Sequence, residues 1–431
     1  MQRKKEENLS LLNIAKNEVP ESETTSNYGI VDSGTALQHF LDSIPISSIP
    51  PGITNSSSAV EIRAGDSVGD AIRALSENNA LGGLIADEPD AIIADDSIAK
   101  FMNNNPSNRY IGFIDFARLF LWSLQECGKQ CHQISEEKSS ISEGSFFSML
   151  DQNPDVARTK IVVLAKSFIW HPFLPVQLND TLLHVLLLFS KHRPEFLPVV
   201  DQSAGGNNVT GFVTESGVIH LLLMSSGLEW FDQIADKPLH DFRFDLAERT
   251  MYVFGNQSID EAIDILWKNR DIGVVAVVQS TKRLIGWVRR SDIHLLLDNH
   301  ELFHMRKSLS VEQFIKMSPP EEEDNHLINA MGSSLTLRNN FLLKMDSPAT
   351  ARKTDTLKQV MEKLAKNKSS FCFLVDDESQ QLLEGVVTLR DVMLQFAPPS
   401  VDSRITGGSF FETALEQTGC RIQNGTVVCD R

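Results

Sequence analysis

The chain has 431 residues, enough for two to four domains with cores of their own, and 42% of them are hydrophobic and 23% charged, an ordinary soluble balance. Its 40 basic and 57 acidic residues leave a net charge of −17, which speaks against a nucleic-acid surface spread over the molecule but not against a small basic pocket. No apolar run approaches the ~18 residues of a membrane-spanning helix, and the first residues lack the apolar core of a secretory signal.

In chain order, residues 1–35 are polar and without periodicity, the signature of a disordered arm. A unit then recurs four times: a polar cap, an amphipathic helix, a short apolar strand, a turn, a strand led by Gly, and a closing helix. The helix starts read Gly65-Asp66-Ser67-Val68, Asn179-Asp180-Thr181-Leu182, Gln257-Ser258-Ile259 and Thr354-Asp355-Thr356-Leu357, with Asp66, Asp180, Ser258 and Asp355 as the expected N-caps. The apolar strands are GGLIAD (82–87), FLPVVD (196–201), GVVAVV (273–278) and FCFLVD (371–376), apolar on both faces and so expected inside a sheet covered by helices. Gly112, Gly211, Gly286 and Gly385 lead the second strands. The units are expected at 38–127, 159–226, 236–300 and 338–398, joined by linkers at 128–158 and 301–337 and followed by a weakly ordered tail at 399–431.

These residues resemble cystathionine-β-synthase (CBS) domains, βαββα modules that end in Gly-x-[Val/Ile]-[Ser/Thr]-x-x-Asp. Four in one chain are similar to the γ subunit of the AMP-activated protein kinase family. The strings DSIPISSIP (42–50), RYIGFIDF (109–116), SGVIHLL (216–222), GLEWF (227–231) and TLRDV (388–392) resemble its plant counterpart, the γ subunit of the sucrose-non-fermenting-related kinase. The resemblance implies an α/β fold of four tandem CBS modules in two Bateman-type pairs. It also implies a non-catalytic regulatory subunit of a heterotrimeric Ser/Thr kinase in energy and carbohydrate signalling, with a catalytic α subunit and a scaffold β subunit as partners. No nucleic acid or membrane partner is expected, and the location is cytoplasmic or nuclear. The rival reading is a stand-alone CBS ligand sensor controlling an enzyme or transporter unrelated to kinases.

In that family the closing Asp receives ribose hydroxyls and the Ser/Thr faces phosphate. Only the fourth unit keeps the pattern, with Thr388 and Asp391 and with Arg390 between them. The first has Asp115 and Arg118 at these positions, the second Thr214 and Gly217, the third Arg289 and Asp292. Where relatives carry a phosphate-gripping His-Arg pair, this chain has Glu195-Phe196 and Ser370-Phe371, so at most weak adenine-nucleotide binding is implied, and no tightly held cofactor. Thr388, Arg390, Asp391, Asp292, Arg289 and Thr214 are the candidate nucleotide contacts. Arg289-Arg290 stand where an anion could be held, against the ordinary alternative of solvated arginines paired with acids.

Other constellations point to no catalytic residue and no metal. His300-Glu301-Leu302-Phe303-His304 matches the zinc-protease pattern, but Glu321 or His326 would have to complete it, and a chance match at an inter-unit connection is favoured. Cys127-x3-Cys131-His132 reads as surface thiols at a helix end, and five scattered cysteines suit a reducing compartment. His171, His184, His220 and His294 read as core or interface histidines, and Trp230-Phe231 as packing between units.

Overall fold

The structure is a computed structural model that describes, with short interruptions, residues 40–86, 109–133, 145–317 and 345–397 and the segment 420–429. The arm at 1–35 and the inserts 87–108 and 318–334 lie outside the described residues, as does the tail apart from one antiparallel hairpin, Cys420–Gln423 with Thr426–Cys429.

Four sheets form, one per unit. The strands are β1 (Thr54–Asn55), β2 (Val60–Arg63), β3 (Gly82–Ala86), β4 (Tyr110–Asp115), β5 (Trp170–Pro172), β6 (Phe196–Asp201) and β7 (Asn208–Thr214), then β8 (Tyr252–Phe254), β9 (Val274–Val278), β10 (Leu284–Arg289), β11 (Thr350–Ala351), β12 (Phe371–Val375) and β13 (Leu383–Thr388). In each unit the buried central strand takes one parallel neighbour and one antiparallel one: β2–β3–β4, β8–β9–β10 and β11–β12–β13. In the second unit the parallel strand shrinks to one bridge, Val176 to Val199, beside β6–β7.

The repeat is exact in two details. Each central antiparallel pair carries an irregularity of register, and in each the leading Gly sits beside it: Gly112 opposite Ile85, Gly211 opposite Val199, Gly286 opposite Val277, Gly385 opposite Leu374. A bulge bends and twists the strand locally, and Gly suits a close approach there. At Gly286 a Cβ would lie 2.4 Å from Ile315 Cδ1 and 2.7 Å from the Met345 carbonyl oxygen. The second detail is the entry to the first helix of each unit. The Asp66, Asp180 and Asp355 carboxylates accept from the N–H of Arg63, Gln177 and Arg352 at 2.8, 2.7 and 3.1 Å, and Gln257 Oε1 accepts from Phe254 N at 2.8 Å. The caps are therefore the hydroxyls one residue on, Ser67, Thr181, Ser258 and Thr356, which accept from the N–H three residues later. For Asp66, Asp180 and Asp355 the expected capping role is thus corrected: their carboxylates close the turn out of the preceding strand.

The capped helices Val68–Glu77, Leu182–His192, Ile259–Lys268 and Leu357–Lys366 each bury one face, for example Val68, Ile72 and Leu75 in the first and Leu357, Val360 and Leu364 in the last. They and the closing helices build two shared cores. Units 1 and 3 bury residues such as Phe120, Leu121, Ile263 and Leu296 together. Units 2 and 4 do the same with Phe189, Leu222, Met361 and Phe396. The sheets make the other two junctions: Trp287, Phe371, Phe373 and Val386 between units 3 and 4, and Leu84, Phe113 and Phe212 between units 1 and 2. The four units form a closed ring in the order 1–2–4–3, with sheet and helix contacts alternating.

Connecting segments belong to the ring more than expected. Residues 145–157, placed in a linker, form the helices Phe146–Gln152 and Pro154–Ala157, whose Phe146, Leu150 and Val156 enter the core of units 1 and 3. Residues 301–315, also placed in a linker, belong to the helices His300–Met305 and Val311–Ile315 on the same core. Strand β5 extends the sheet of unit 1, and β1 joins that of unit 2. Each first-helix cap also bridges a distant segment: Thr181 to Pro45, Ser67 to Lys160, Thr356 to Pro238 and Ser258 to Ser310. In both halves the lead-in segment serves the second unit and a later segment serves the first, so the halves are built alike.

Candidate functional site

The Gly-led strands deliver the start of every closing helix toward the middle of the ring. In unit 4 the fourth-repeat motif is folded inward: Asp391 Oδ2 accepts from Thr388 N at 2.9 Å and Thr388 Oγ1 at 2.7 Å, and Thr388 Oγ1 accepts from Asp391 N at 3.2 Å. This is a reciprocal capping box. In unit 3 Asp292 receives the backbone N–H of Arg289 at 2.9 Å and its Nη2 at 2.7 Å, and the guanidinium lies 4.8 Å from the Trp287 ring centre. In unit 2 Thr214 caps the helix Glu215–Met224 through Gly217 N, and in unit 1 Asp115 Oδ1 accepts from Ala117 N at 2.7 Å. The candidates Thr388, Asp391, Asp292, Arg289 and Thr214 are each hydrogen-bonded at the start of their own closing helix.

Arg390 points elsewhere, to Glu215 Oε1 of unit 2 at 3.1 Å and to the Pro194 carbonyl at 3.3 Å. The next residue, Glu195, is the hub of a second cluster. Arg290 of unit 3 donates to Glu195 Oε1 and places Nη2 3.0 Å from Asp115 Oδ2 of unit 1, while Arg118 Nη2 lies 3.4 Å from Glu195 Oε1. Side chains of all four units thus converge around Pro194-Glu195. Arg118, Arg290 and Asp115 keep 10%, 12% and 9% of their side-chain surface, Glu195 keeps 32%.

The charges set one another. Burial alone would raise the Glu195 carboxyl, but the guanidinia of Arg290 and Arg118 outweigh it and hold it well below the usual carboxylate range. Asp115 goes the other way: burial raises it more than Arg290 lowers it, with the neighbouring Glu195 adding to the rise. Glu215 is raised by burial despite Arg390. His171 on β5 is pushed down to about 4, by burial first and Arg118 second, and its Nε2 is buried without a hydrogen-bond partner among the described residues.

His171 and Glu195 stand with Leu84, Phe113, Phe173 and Phe196 around a small cleft between units 1 and 2, whose space for water centres is about 10 Å³. That is room for about one water. The edge-to-face pair of Phe113 and Phe196, 4.1 Å between centres, closes its floor.

The sequence offered Arg289 and Arg290 either as holders of an anion or as arginines paired with acids, and the structure shows the pairing, Arg289 with Asp292 and Arg290 with Asp115 and Glu195. The sequence read Glu195 as a source of repulsion, and Glu215 was missed. Glu195 is the anion that Arg290 holds. The remaining motifs resolve simply. His300 and His304 are exposed on a six-residue helix, while Glu321 and His326, which would have to complete a zinc site, lie outside the described residues. Cys127 is 1% exposed in the core of units 1 and 3, contrary to a surface thiol, because the helix Phe116–Gln133 turns that face to unit 3. His184 and His220 are exposed rather than core or interface residues, since they occupy the outer faces of their helices; the side chain of His294 lies outside the described set. Phe231 stacks on Phe396 of unit 4 at 5.4 Å, the expected packing between units.

Comparison with known proteins agrees with this build. Residues 165–224, 245–298 and 342–397 match the CBS domain model. These are units 2, 3 and 4; unit 1 lies outside the matched stretches but repeats their caps and its Gly sits at the same irregularity. Three stretches of the chain thus match CBS domains. Along most of its length it is similar to a plant γ-type subunit: the SNF1-related protein kinase regulatory subunit gamma-1 of Arabidopsis thaliana is 25% identical over 377 residues, 83% of this chain and 82% of its own. A gamma-1-like regulatory subunit from the same plant is 29% identical over 272 residues, 62% of this chain and 56% of that protein. The solved structure of a Methanocaldococcus jannaschii protein, described as an archaeal γ-AMPK homologue, aligns over 82% of this chain and 100% of its own at 15% identity, with a TM-score of 0.48. No helix among the described residues is long and apolar enough to cross a membrane.

Proposed function

We propose that this chain is the non-catalytic γ-type subunit of a heterotrimeric Ser/Thr kinase in energy and carbohydrate signalling, held by a catalytic α subunit and a scaffold β subunit in the cytoplasm or nucleus. The observation that carries the reading is the likeness, along 83% of the chain, to a plant kinase regulatory subunit. The ring gives it physical sense: four units locked to one another by two shared cores form a rigid platform, and a platform regulates a kinase when it binds two kinase conformations unequally. Nucleotide binding is proposed to be weak at most. Thr388 and Asp391 serve each other, Arg289 and Asp292 likewise, and Arg390 is committed to Glu215. Affinity purification of the tagged chain from the cells that make it, followed by mass spectrometry, tests the reading. Co-purification of a kinase catalytic and a scaffold subunit is the expected result, and recovery of neither overturns it in favour of a CBS sensor of another system.

A further inference from the structure

We infer that the centre of the ring is a socket for a small oxyanion, and that the chain occupies it with its own carboxylate, Glu195. This does not rest on the kinase reading. Two guanidinia from different units, Arg118 and Arg290, converge on one carboxylate oxygen, and Asp115 steadies Arg290 from the far side at 3.0 Å. Without Glu195 the cluster is two cations to one anion, buried and net positive, and buried guanidinia bind carboxylate or phosphate oxygens strongly. Glu195 is suited to be the occupant. It sits at the mouth of strand β6, directly after Pro194, and it is far more exposed than the groups it touches: 32% of its side chain against 10% for Arg118 and 12% for Arg290. It also forms part of the wall of the small cleft between units 1 and 2.

The geometry makes Glu195 a tethered ligand. One side chain from unit 2 reads units 1 and 3 together, as a diffusible anion in the same place would. Tethering supplies the anion at high effective concentration, so the intact socket is filled without any solute. A small oxyanion of carboxylate or phosphate chemistry is therefore excluded from the intact chain and admitted when Glu195 is removed.

The test is thermal unfolding of the full chain, intact and as Glu195→Ala, in rising inorganic phosphate or acetate against chloride at matched ionic strength. The intact chain should show no difference between the salts. Glu195→Ala should melt lower in chloride and regain about 1.5–2 °C in phosphate at ten times its dissociation constant, with acetate recovering part of it. Glu195→Ala/Arg290→Gln should lose the phosphate-specific recovery. Should Glu195→Ala not fold, Glu195→Ser still empties the socket while keeping a polar side chain, and phosphorus NMR line broadening on that variant, absent with the intact chain, reads the same opening. Phosphate recovery equal in the intact and substituted chains, or no recovery in either variant, would overturn the proposal.

Discussion

Arg290 of the third unit sets its Nη2 3.0 Å from Asp115 Oδ2 of the first while also holding Glu195 of the second. One guanidinium thus ties three units together where helix and sheet contacts meet. Taking away one member of a buried ion cluster leaves the others uncompensated, which costs about 3–5 kcal/mol. Arg290→Ala is expected to lower stability by that order in chemical denaturation. Arg73→Ala, which removes the exposed pair with Asp151, should change it by less than about 1 kcal/mol. Equal effects for the two would contradict the clamp.

A second prediction concerns Phe231. It is fully buried and stacks on Phe396 across the junction of units 2 and 4, with ring planes 10° apart. Phe231→Ala should cost about 3–5 kcal/mol, and proteolysis of the variant should open units 2 and 4 first. An unchanged denaturation midpoint would place the aromatic pair outside the junction.

Gly82 gives a third. A Cβ there would lie 2.4 Å from the Ile114 carbonyl oxygen and 2.2 Å from the Phe113 ring. The ring could turn aside, but the backbone carbonyl of the paired strand cannot without disturbing the β3–β4 ladder. Gly82→Ala should therefore destabilise the protein by about 1–3 kcal/mol, seen as a lowered melting temperature. Gly128→Ala, where a Cβ meets nothing within 4 Å, should leave it unchanged or slightly raised.

The fourth is a pH dependence. His171 falls from 6.5 to about 4 in the folded chain. Between these values the unfolded chain binds a proton that the native chain does not, so stability rises with pH across the window and is lost as pH falls from 6.5 toward 4. Replacement by Asn, which does not titrate, should flatten the slope of stability against pH between about 4.5 and 6.5. An unaltered slope would show that His171 does not carry the loss; Glu195 does not compete in this window, because a carboxyl lowered in the folded chain loses its stabilisation only as pH falls below the ordinary carboxylate value.

Much of the ring was legible in the chain because its information is local. Cap, helix, apolar strand and Gly recur within short windows, and periodicity reads such windows well. The short helices Phe146–Gln152 and Pro154–Ala157 also had a local signal, Ser145 as a cap and Asn153-Pro154 as a helix entry, but it was masked by the polar run SEEKSSISEGS just before it. The site was legible only in pieces. Glu195 reads as repulsive beside a phosphate and attractive beside a guanidinium, and the one that meets it comes from 95 residues further on. No spacing rule carries that. Asp66, Asp180 and Asp355 were misplaced by one residue for a subtler reason: each stands beside a hydroxyl that caps equally well, and the competing demand of the strand exit decides between them.

Units 1 and 3 complete one core from opposite halves of the sequence. On the ribosome, the helical face of unit 1 therefore emerges long before the segment 253–315 that covers it, and units 2 and 4 repeat the delay. Contacts so distant along the chain make folding slow and leave apolar surface open during synthesis. Nascent chains of this protein therefore keep the partner faces of units 1 and 2 uncovered until units 3 and 4 have been made.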